Sequence, residues 1–235
     1  MPRIIAIIPA LNEEKNIGFV VDSLKDASPQ LDILVIDDGS ADRTAEAARS
    51  QGAKVISLPV NLGIGGAVQT GFIYALCNEY DVALQVDGDG QHRADEIEKL
   101  VAPVINGEAD VVIGSRFLFK TAYKASRYRR LGIYLISKII RSVAGKTYTD
   151  PTSGFRAYNR KALSIVSVHY SVDYPEPDSI VTLLRNGMRV TEISVEMDAR
   201  MSGKSSITPL KSGYYMLKVS MAIILNAMMS RFWPE

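Results

Sequence analysis

Asp87 and Asp89 stand two residues apart where the apolar run Val82-Ala83-Leu84-Gln85-Val86 meets Asp87-Gly88-Asp89-Gly90-Gln91-His92. In near-extended backbone, residues i and i+2 point the same way, so these two carboxylates can converge. Two adjacent anions repel unless something positive lies between them. A hard cation, Mg²⁺ or Mn²⁺, fits such a place, because it takes oxygen ligands and leaves positions open for substrate phosphate oxygens. Gly88 and Gly90 remove side-chain bulk where a ligand approaches the backbone, and Gln91 can add a neutral oxygen. A lone Asp-Gly-Asp is more often a solvated turn after a strand, so its company along the chain decides.

The elements that must position this turn are legible as an alternation. Ile4-Ile5-Ala6-Ile7-Ile8, closed by Pro9, reads as a central parallel strand. Asn12 is the expected N-cap of a helix through about Leu24. A second strand, Ile33 to Ile36, ends on Asp37-Asp38-Gly39-Ser40, and a helix from Ala45 to Gln51 stops at Gly52. Val55 to Leu58 gives a third strand, and Asn61-Leu62-Gly63 opens a helix carrying Val68, Phe72 and Ala75. After the strand into Asp87 come a helix from about Asp95 and a strand Val111-Val112-Ile113 ending at Gly114-Ser115-Arg116. The fold expected is α/β, a doubly wound, mostly parallel sheet with helices on both faces. Ligands of such sheets bind beyond the carboxyl ends of the strands, where these polar clusters sit.

Composition narrows the class. At 235 residues with a formal net charge of +1, the chain suits one large domain and argues against a nucleic-acid partner. One cysteine, Cys77, allows no internal disulfide, and no zinc spacing occurs, which suits a reducing cytoplasm. No signal peptide is read at the N-terminus, and no apolar stretch reaches the about 20 residues that span a bilayer. The Gly63-x-Gly65 stretch lacks the third glycine of a dinucleotide fingerprint, and there is no P-loop.

Six segments occur in order: Ile8 to Glu14, Ile36 to Asp42, Asn61 to Gly63, Asp87 to His92, Gly114 to Phe117, and Asp150-Pro151-Thr152-Ser153-Gly154-Phe155-Arg156. Together they resemble glycosyltransferase family 2, with its GT-A fold. The likeness is greatest to the branch of dolichol-phosphate mannosyltransferases and bacterial polyprenyl-phosphate glycosyltransferases. It covers roughly residues 4 to 207. The resemblance implies that Pro9, Leu11 and Glu13 line a nucleoside pocket and that Asp37 or Asp38 binds base or ribose. It implies that Asp87 contacts ribose or metal, and that Asp89 and Gln91 hold Mg²⁺ or Mn²⁺ on the diphosphate of a UDP- or GDP-linked sugar.

Beyond Arg116 the charge is one-sided. From Arg116 to Thr149 there are Lys120, Lys124, Arg127, Arg129, Arg130, Lys138, Arg141 and Lys146 and no acid. Leu131, Tyr134, Leu135, Lys138, Ile139 and Ser142 suggest an amphipathic helix with a cationic flank, suited to an anionic membrane surface. By resemblance, Arg116 and Arg129 or Arg130 grip the acceptor phosphate, and the loop with Arg200 and Lys204 closes on the phosphates. Glu176 and Asp178 open a further helix; Asp178 falls where the branch has Glu, one methylene longer. Leu217, Met221, Ile224, Leu225, Met228 and Phe232 recur at helical spacing near the C-terminus. That places a GT-A domain at residues 1–208 and an apolar or amphipathic helix at 209–235, docked on membrane, a small membrane subunit or a second copy.

The function expected is metal-dependent, inverting transfer of a sugar from a nucleotide-sugar to a polyprenyl phosphate, by a peripheral enzyme on the inner face of the cell membrane. A phosphate monoester is already ionised at neutral pH and needs no general base, which would make Glu176 and Asp178 positioning groups. Two alternatives stay open. One is transfer to a saccharide hydroxyl with Asp178 or Glu176 as base. The other is a non-catalytic subunit that binds nucleotide-sugar.

Overall fold

The computed structural model describes residues 2–119, 127–173 and 175–198, with Lys218, Met221 and Ile223; for 127–129 it gives backbone alone. The strands are β1 (Ile4–Ala10), β2 (Asp32–Asp37), β3 (Lys54–Ser57), β4 (Val82–Gln85), β5 (Val111–Ser115), β6 (Arg156–Asn159) and β7 (Val190–Ser194). The helices are α1 (Ile17–Ala27), α2 (Thr44–Ser50), α3 (Gly63–Cys77), α4 (Ile97–Ile105), α5 (Arg127–Ala144), α6 (Arg160–Val166) and α7 (Pro175–Arg185). One sheet runs in the order β3-β2-β1-β4-β6-β5-β7. Among the described strands only β6 opposes its neighbours, pairing antiparallel with β4 and β5.

Period-two alternation divides the core. Ile5 and Ile7 join the cluster beneath α3, α5, α6 and α7, while Ala6 and Ile8 join the one beneath α1, α2 and α4. Both clusters are apolar, so the sheet is covered on both faces, as the continuous β-branched strands require. Because β1, β2, β4 and β5 share one direction and β6 opposes them, four carboxyl ends and the start of β6 lie along one edge. Every acidic cluster singled out above therefore falls at that edge.

Two local expectations are corrected, and two further features go beyond what the sequence reading offered. Asn12 does not cap a helix: it sits at φ 56°, its Oδ1 accepting from Ala41 N–H and its N–H donating to Ser40 Oγ. It staples the β1 loop to the β2 loop, and α1 begins only at Ile17, after Asn16. A 3-10 turn, Ala94–Glu96, precedes α4, so the regular helix starts two residues later than about Asp95. Strands β6 and β7 carry no long apolar run, since Arg156 and Glu192 interrupt them, and their existence was not read from the sequence. In α5 the core-facing residues are Ile133, Ile136 and Ile140, whereas Leu131, Tyr134 and Leu135 are 58%, 56% and 45% exposed. That helix is apolar on two sides.

The C-terminal stretch lies largely outside the described residues. Lys218, Met221 and Ile223 are helical; Lys218 pairs with Asp173, and Ile223 is buried in the core cluster beneath α5 and α7. Among the described residues no helix is long and apolar enough to cross a membrane. The N-terminus of α3 is clamped to the segment before α7, where Gly65 N–H donates to Val172 O. A Cβ on Gly65 would fall 2.0 Å from Ser171 O, so only glycine allows that approach.

Candidate active site

Asp87 follows β4 by two residues and stands beside the end of β1. Ile7 pairs with Gln85, Val86 N–H reaches Ile7 O, and a Cβ on Gly88 would lie 3.2 Å from Pro9 O. On the other side of β1, Ala10 pairs with Asp37, and Asp38 N–H donates to Ala10 O. Pairing in register thus brings Pro9, Asp37, Asp38 and Asp87 to one level of the sheet. Pro9 is buried in the strand, while Leu11, two residues on, is exposed.

The acids divide by what they hold. Asp38 Oδ1 accepts from Leu62 N–H at 2.7 Å, at the positive end of α3. Burial raises its pKa, and the Leu62 and Gly63 amides oppose that rise. Asp37 Oδ1 closes the turn at Ser40 N–H, and Glu13 accepts from Asn16 Nδ2 at 2.6 Å. Asp38 is therefore a loop anchor, and of the two Asp37 has the shorter-range tie.

The Asp87–His92 turn is fastened at several points. Asp89 Oδ1 accepts from Gln91 N–H. Gln91 Nε2 donates to Asp198 O, Asp198 N–H donates to Gln91 O, and His92 bridges Met197. His92 is stacked on Phe155 with ring centroids 4.5 Å apart, and Asp87 N–H donates to its Nδ1. Burial holds the imidazole neutral, pulling its pKa down to about 4; Asp89 and Asp150 oppose that shift and Arg116 adds to it. Gly154 faces Asp87, since a Cβ there would lie 3.1 Å from Oδ1. The cradle leaves Asp87 38% exposed at the side chain, whereas Asp89 is buried.

This donor set suits a hard cation. Two carboxylates and the oxygen of a tethered amide stand on this one turn, and glycine clears the space beside Asp87. Among the described residues no group of three or more His, Cys, Asp or Glu is placed to hold a metal. A cation here would need oxygens from its substrate, the habit of Mg²⁺ at phosphates.

Beside Asp87 lies a polar cluster in which sequence reasoning assigned a role to Glu176 alone. Gln85 and Arg156 face each other across β4 and β6, on the side covered by α6 and α7. The Arg156 guanidinium is fully buried and donates to Ser153 O, Pro151 O, Glu176 O and Ser179 Oγ. Tyr170 donates to Gln85 Oε1. Enclosure raises the pKa of the Glu176 carboxyl; Arg156 opposes this and the Asp87 charge adds to it. Glu176 is thus within electrostatic reach of Asp87. Asp178 instead accepts a 2.5 Å bond from Ser171 Oγ, on the loop before α7.

Arg116 departs from its expected use. Its Nε and Nη2 make a bidentate pair with Asp150 at 2.6 and 2.8 Å, and the arginine side chain is 9% exposed. Asp150 is held in turn by Glu192, whose carboxylate accepts from the Thr149 and Asp150 amides. The arginine braces the loop leading to Gly154 rather than presenting a free guanidinium. Arg130 is exposed on α5; the Arg129 side chain, Arg200 and Lys204 lie outside the described residues.

The family described as Glycosyl transferase family 2 matches residues 5–166. The polyprenol monophosphomannose synthase of Mycolicibacterium smegmatis is 31% identical over 93% of this chain and 86% of its own length. The undecaprenyl-phosphate mannosyltransferase of Micrococcus luteus is 31% identical over 88% of each. In fold the chain resembles glucosyl-3-phosphoglycerate synthase of Mycobacterium tuberculosis, solved with Mn²⁺, UDP-glucose and phosphoglyceric acid. That likeness has a TM-score of 0.74 at 23% identity, over 96% of this chain and 80% of the other.

The Arg116–Asp150 brace can be measured. Asp150→Asn leaves a buried guanidinium without its anion, a loss of about 3 kcal/mol or more. Thermal unfolding of that variant is expected roughly 6–12 °C below the parent. An unchanged midpoint would show that Arg116 leaves Asp150 freely for solvent or substrate.

Proposed function

The chain belongs to glycosyl transferase family 2, and on that premise we propose that it transfers a sugar from a UDP- or GDP-linked donor to polyprenyl phosphate. The observation that carries the reading is the convergence of the β1, β2 and β4 ends on Asp87 and Asp89. Relatives named for polyprenyl-phosphate acceptors align along nearly the whole chain. Asp87, Asp89 and Gln91 would hold Mg²⁺ or Mn²⁺, which supplies neutralising charge at the departing diphosphate.

The chain's own groups do the rest by placement. Leu11, exposed at the end of β1, offers an apolar surface to a base, with Pro9 and Glu13 framing it and Asp37 within the same edge. Asp38 fixes the loop into α3. Arg129, Arg130, Arg200 and Lys204 would orient the acceptor phosphate, which attacks as an anion and needs no base. Arg116 is left out of that grip because Asp150 holds it. A second reading, transfer to a saccharide hydroxyl, draws support from one observation. Glu176 is an enclosed carboxylate of raised pKa beside Asp87, the environment a general base uses.

Placement at the inner face of the membrane fits α5. Leu131, Tyr134 and Leu135 emerge beside Arg130, Lys138 and Arg141, with Lys138 Nζ over the Tyr134 ring. Burying three half-exposed side chains yields on the order of 3 kcal/mol. Each cation near an anionic leaflet adds about 1 kcal/mol. Neither contribution suffices alone; together they hold a protein reversibly. Residues 209–235 would strengthen the attachment, directly or through a small membrane subunit or a second copy.

Two experiments test this. The purified chain is incubated with UDP- and GDP-linked sugars and either undecaprenyl phosphate or saccharide acceptors, and label is counted after lipid extraction. Lipid-phase label that falls on the order of 100-fold in Asp89→Asn, and reversibly with chelator, is the expected result. Label entering only saccharides, and lost in Glu176→Gln, would establish the second reading. In the other, Leu131→Gln combined with Leu135→Gln should weaken sedimentation with anionic vesicles while leaving the thermal midpoint unchanged. Undiminished binding would remove α5 from the membrane contact.

A further inference from the structure

The roles above give Asp42 and Thr44, on the loop after β2, no task. Together with Ser40 they take three successive amides of the loop after β1. Asn12 N–H donates to Ser40 Oγ at 2.9 Å, Glu13 N–H to Thr44 Oγ1 at 2.8 Å, and Glu14 N–H to Asp42 Oδ2 at 3.2 Å. Side chains of the β1 loop reach back in return. Asn12 Oδ1 accepts from Ala41 N–H, and Glu14 Oε2 accepts from Arg43 N–H. Two loops that leave paired strand ends, Ala10 and Asp37, are thus joined by side chains where the ladder stops.

Thr44 is the inner point of that seam. It has no exposed surface, whereas Asn12, Ala41 and Arg43 lie at the outside. Its hydroxyl accepts from Glu13 N–H and donates its own hydrogen to Asp42 Oδ1, which also accepts the Thr44 amide. Burial opposes the charge on Asp42, but the bonds from Thr44 and from the Glu14 amide outweigh it and hold the carboxyl below its usual range. Bonds to an anion kept in this way are of the stronger, charge-assisted kind. Water cannot stand in for an enclosed hydroxyl while the seam stays closed.

The seam holds the edge assigned to the nucleoside. Leu11 and Glu13 flank Asn12, which turns the chain at φ 56°, and Asp37 closes its own turn at Ser40 N–H. A loop already ordered in the free protein need not be ordered by its ligand, which then binds more tightly. We propose that Thr44 is a positioning residue of the donor site: its hydroxyl, joining the Glu13 amide to Asp42, fixes the β1 loop against the β2 loop before a nucleotide arrives. This rests on the reading of Pro9, Leu11, Glu13 and Asp37 as the nucleoside pocket. It gives Thr44 no contact with the nucleotide and no part in the transfer.

The test is calorimetric titration of UDP and GDP into the full chain with Mg²⁺ present, well below the melting temperature of each variant. Thr44→Val keeps the branched shape and removes the hydroxyl. It is expected to bind the preferred nucleotide about 10-fold more weakly. Thr44→Ser keeps the hydroxyl and removes a buried methyl. It should bind as the wild type does, even where its melting temperature falls. Ser40→Ala removes only the acceptor of Asn12 N–H, at a half-buried position, and should weaken binding roughly 3-fold.

Wild-type affinity in a folded Thr44→Val overturns the proposal and leaves the nucleoside pocket standing. So does a serine variant as weak as the valine one, since the methyl and not the hydroxyl would then matter. If Thr44→Val does not fold, wild-type affinity in Ser40→Ala overturns it. Should the wild type bind neither nucleotide, or Leu11→Ala bind as tightly as the wild type, the pocket reading and this proposal fall together.

Discussion

A guanidinium with no exposed surface organises the end of this sheet. Arg156 opens β6, the strand set antiparallel between β4 and β5, and its side chain enters the face covered by α6 and α7. Burying a charge there is costly unless each N–H finds an acceptor. Arg156 finds them in Pro151 O, Ser153 O, Glu176 O and Ser179 Oγ. Those partners come from the loop before β6 and from the first turn of α7, so one side chain fixes both segments. Gly154 is thereby carried against Asp87, and Glu176 is brought close enough for its charge to matter.

The rest of the site follows from that anchoring. The Asp150 loop is pinned again by Arg116 and Glu192, and it delivers Phe155 as the platform for His92. The Asp87–His92 turn then lies between the β1 end and the strand-like segment at Met197 and Asp198. Asp87 and Asp89 thus stand on a turn tied at both ends by backbone and side-chain hydrogen bonds. The donor end of a glycosyl transfer benefits most from such order, since the charge that develops on the diphosphate is met without reorganisation. The face proposed for the acceptor is different in character, with exposed cations and an outward apolar face on α5 beside Arg130.

Much of this was legible in the sequence for definite reasons. Strands β1, β2 and β4 are continuous apolar runs that stop on polar residues, and the wound α/β sheet follows from their alternation with helices. The acids at their ends had to share one edge once the strands were parallel. Strands β6 and β7 escaped because each carries a charged residue whose partner is remote: Arg156 looks to α7, and Glu192 to the Thr149–Asp150 amides. Arg116 was assigned to the acceptor phosphate by resemblance, and nothing local in the sequence opposed it. Its true neighbour, Asp150, is thirty-four residues away and only the fold brings it near. Asn12 has the residue type of a helix cap, yet a tertiary bond to Ala41 claims it. A signal for Arg156 did exist: in an extended Phe155-Arg156-Ala157-Tyr158 it shares its face with Tyr158, so burying that ring draws the cation inward with it.

The central claim is that the β4 end is a donor-diphosphate site completed by a cation on Asp87 and Asp89. Calorimetric titration of UDP and GDP into the full chain, with Mg²⁺ present and then with chelator in excess, addresses it directly. The account predicts that one of the two nucleotides binds at least about 10-fold more tightly with the metal. Equal affinity in chelator would contradict it.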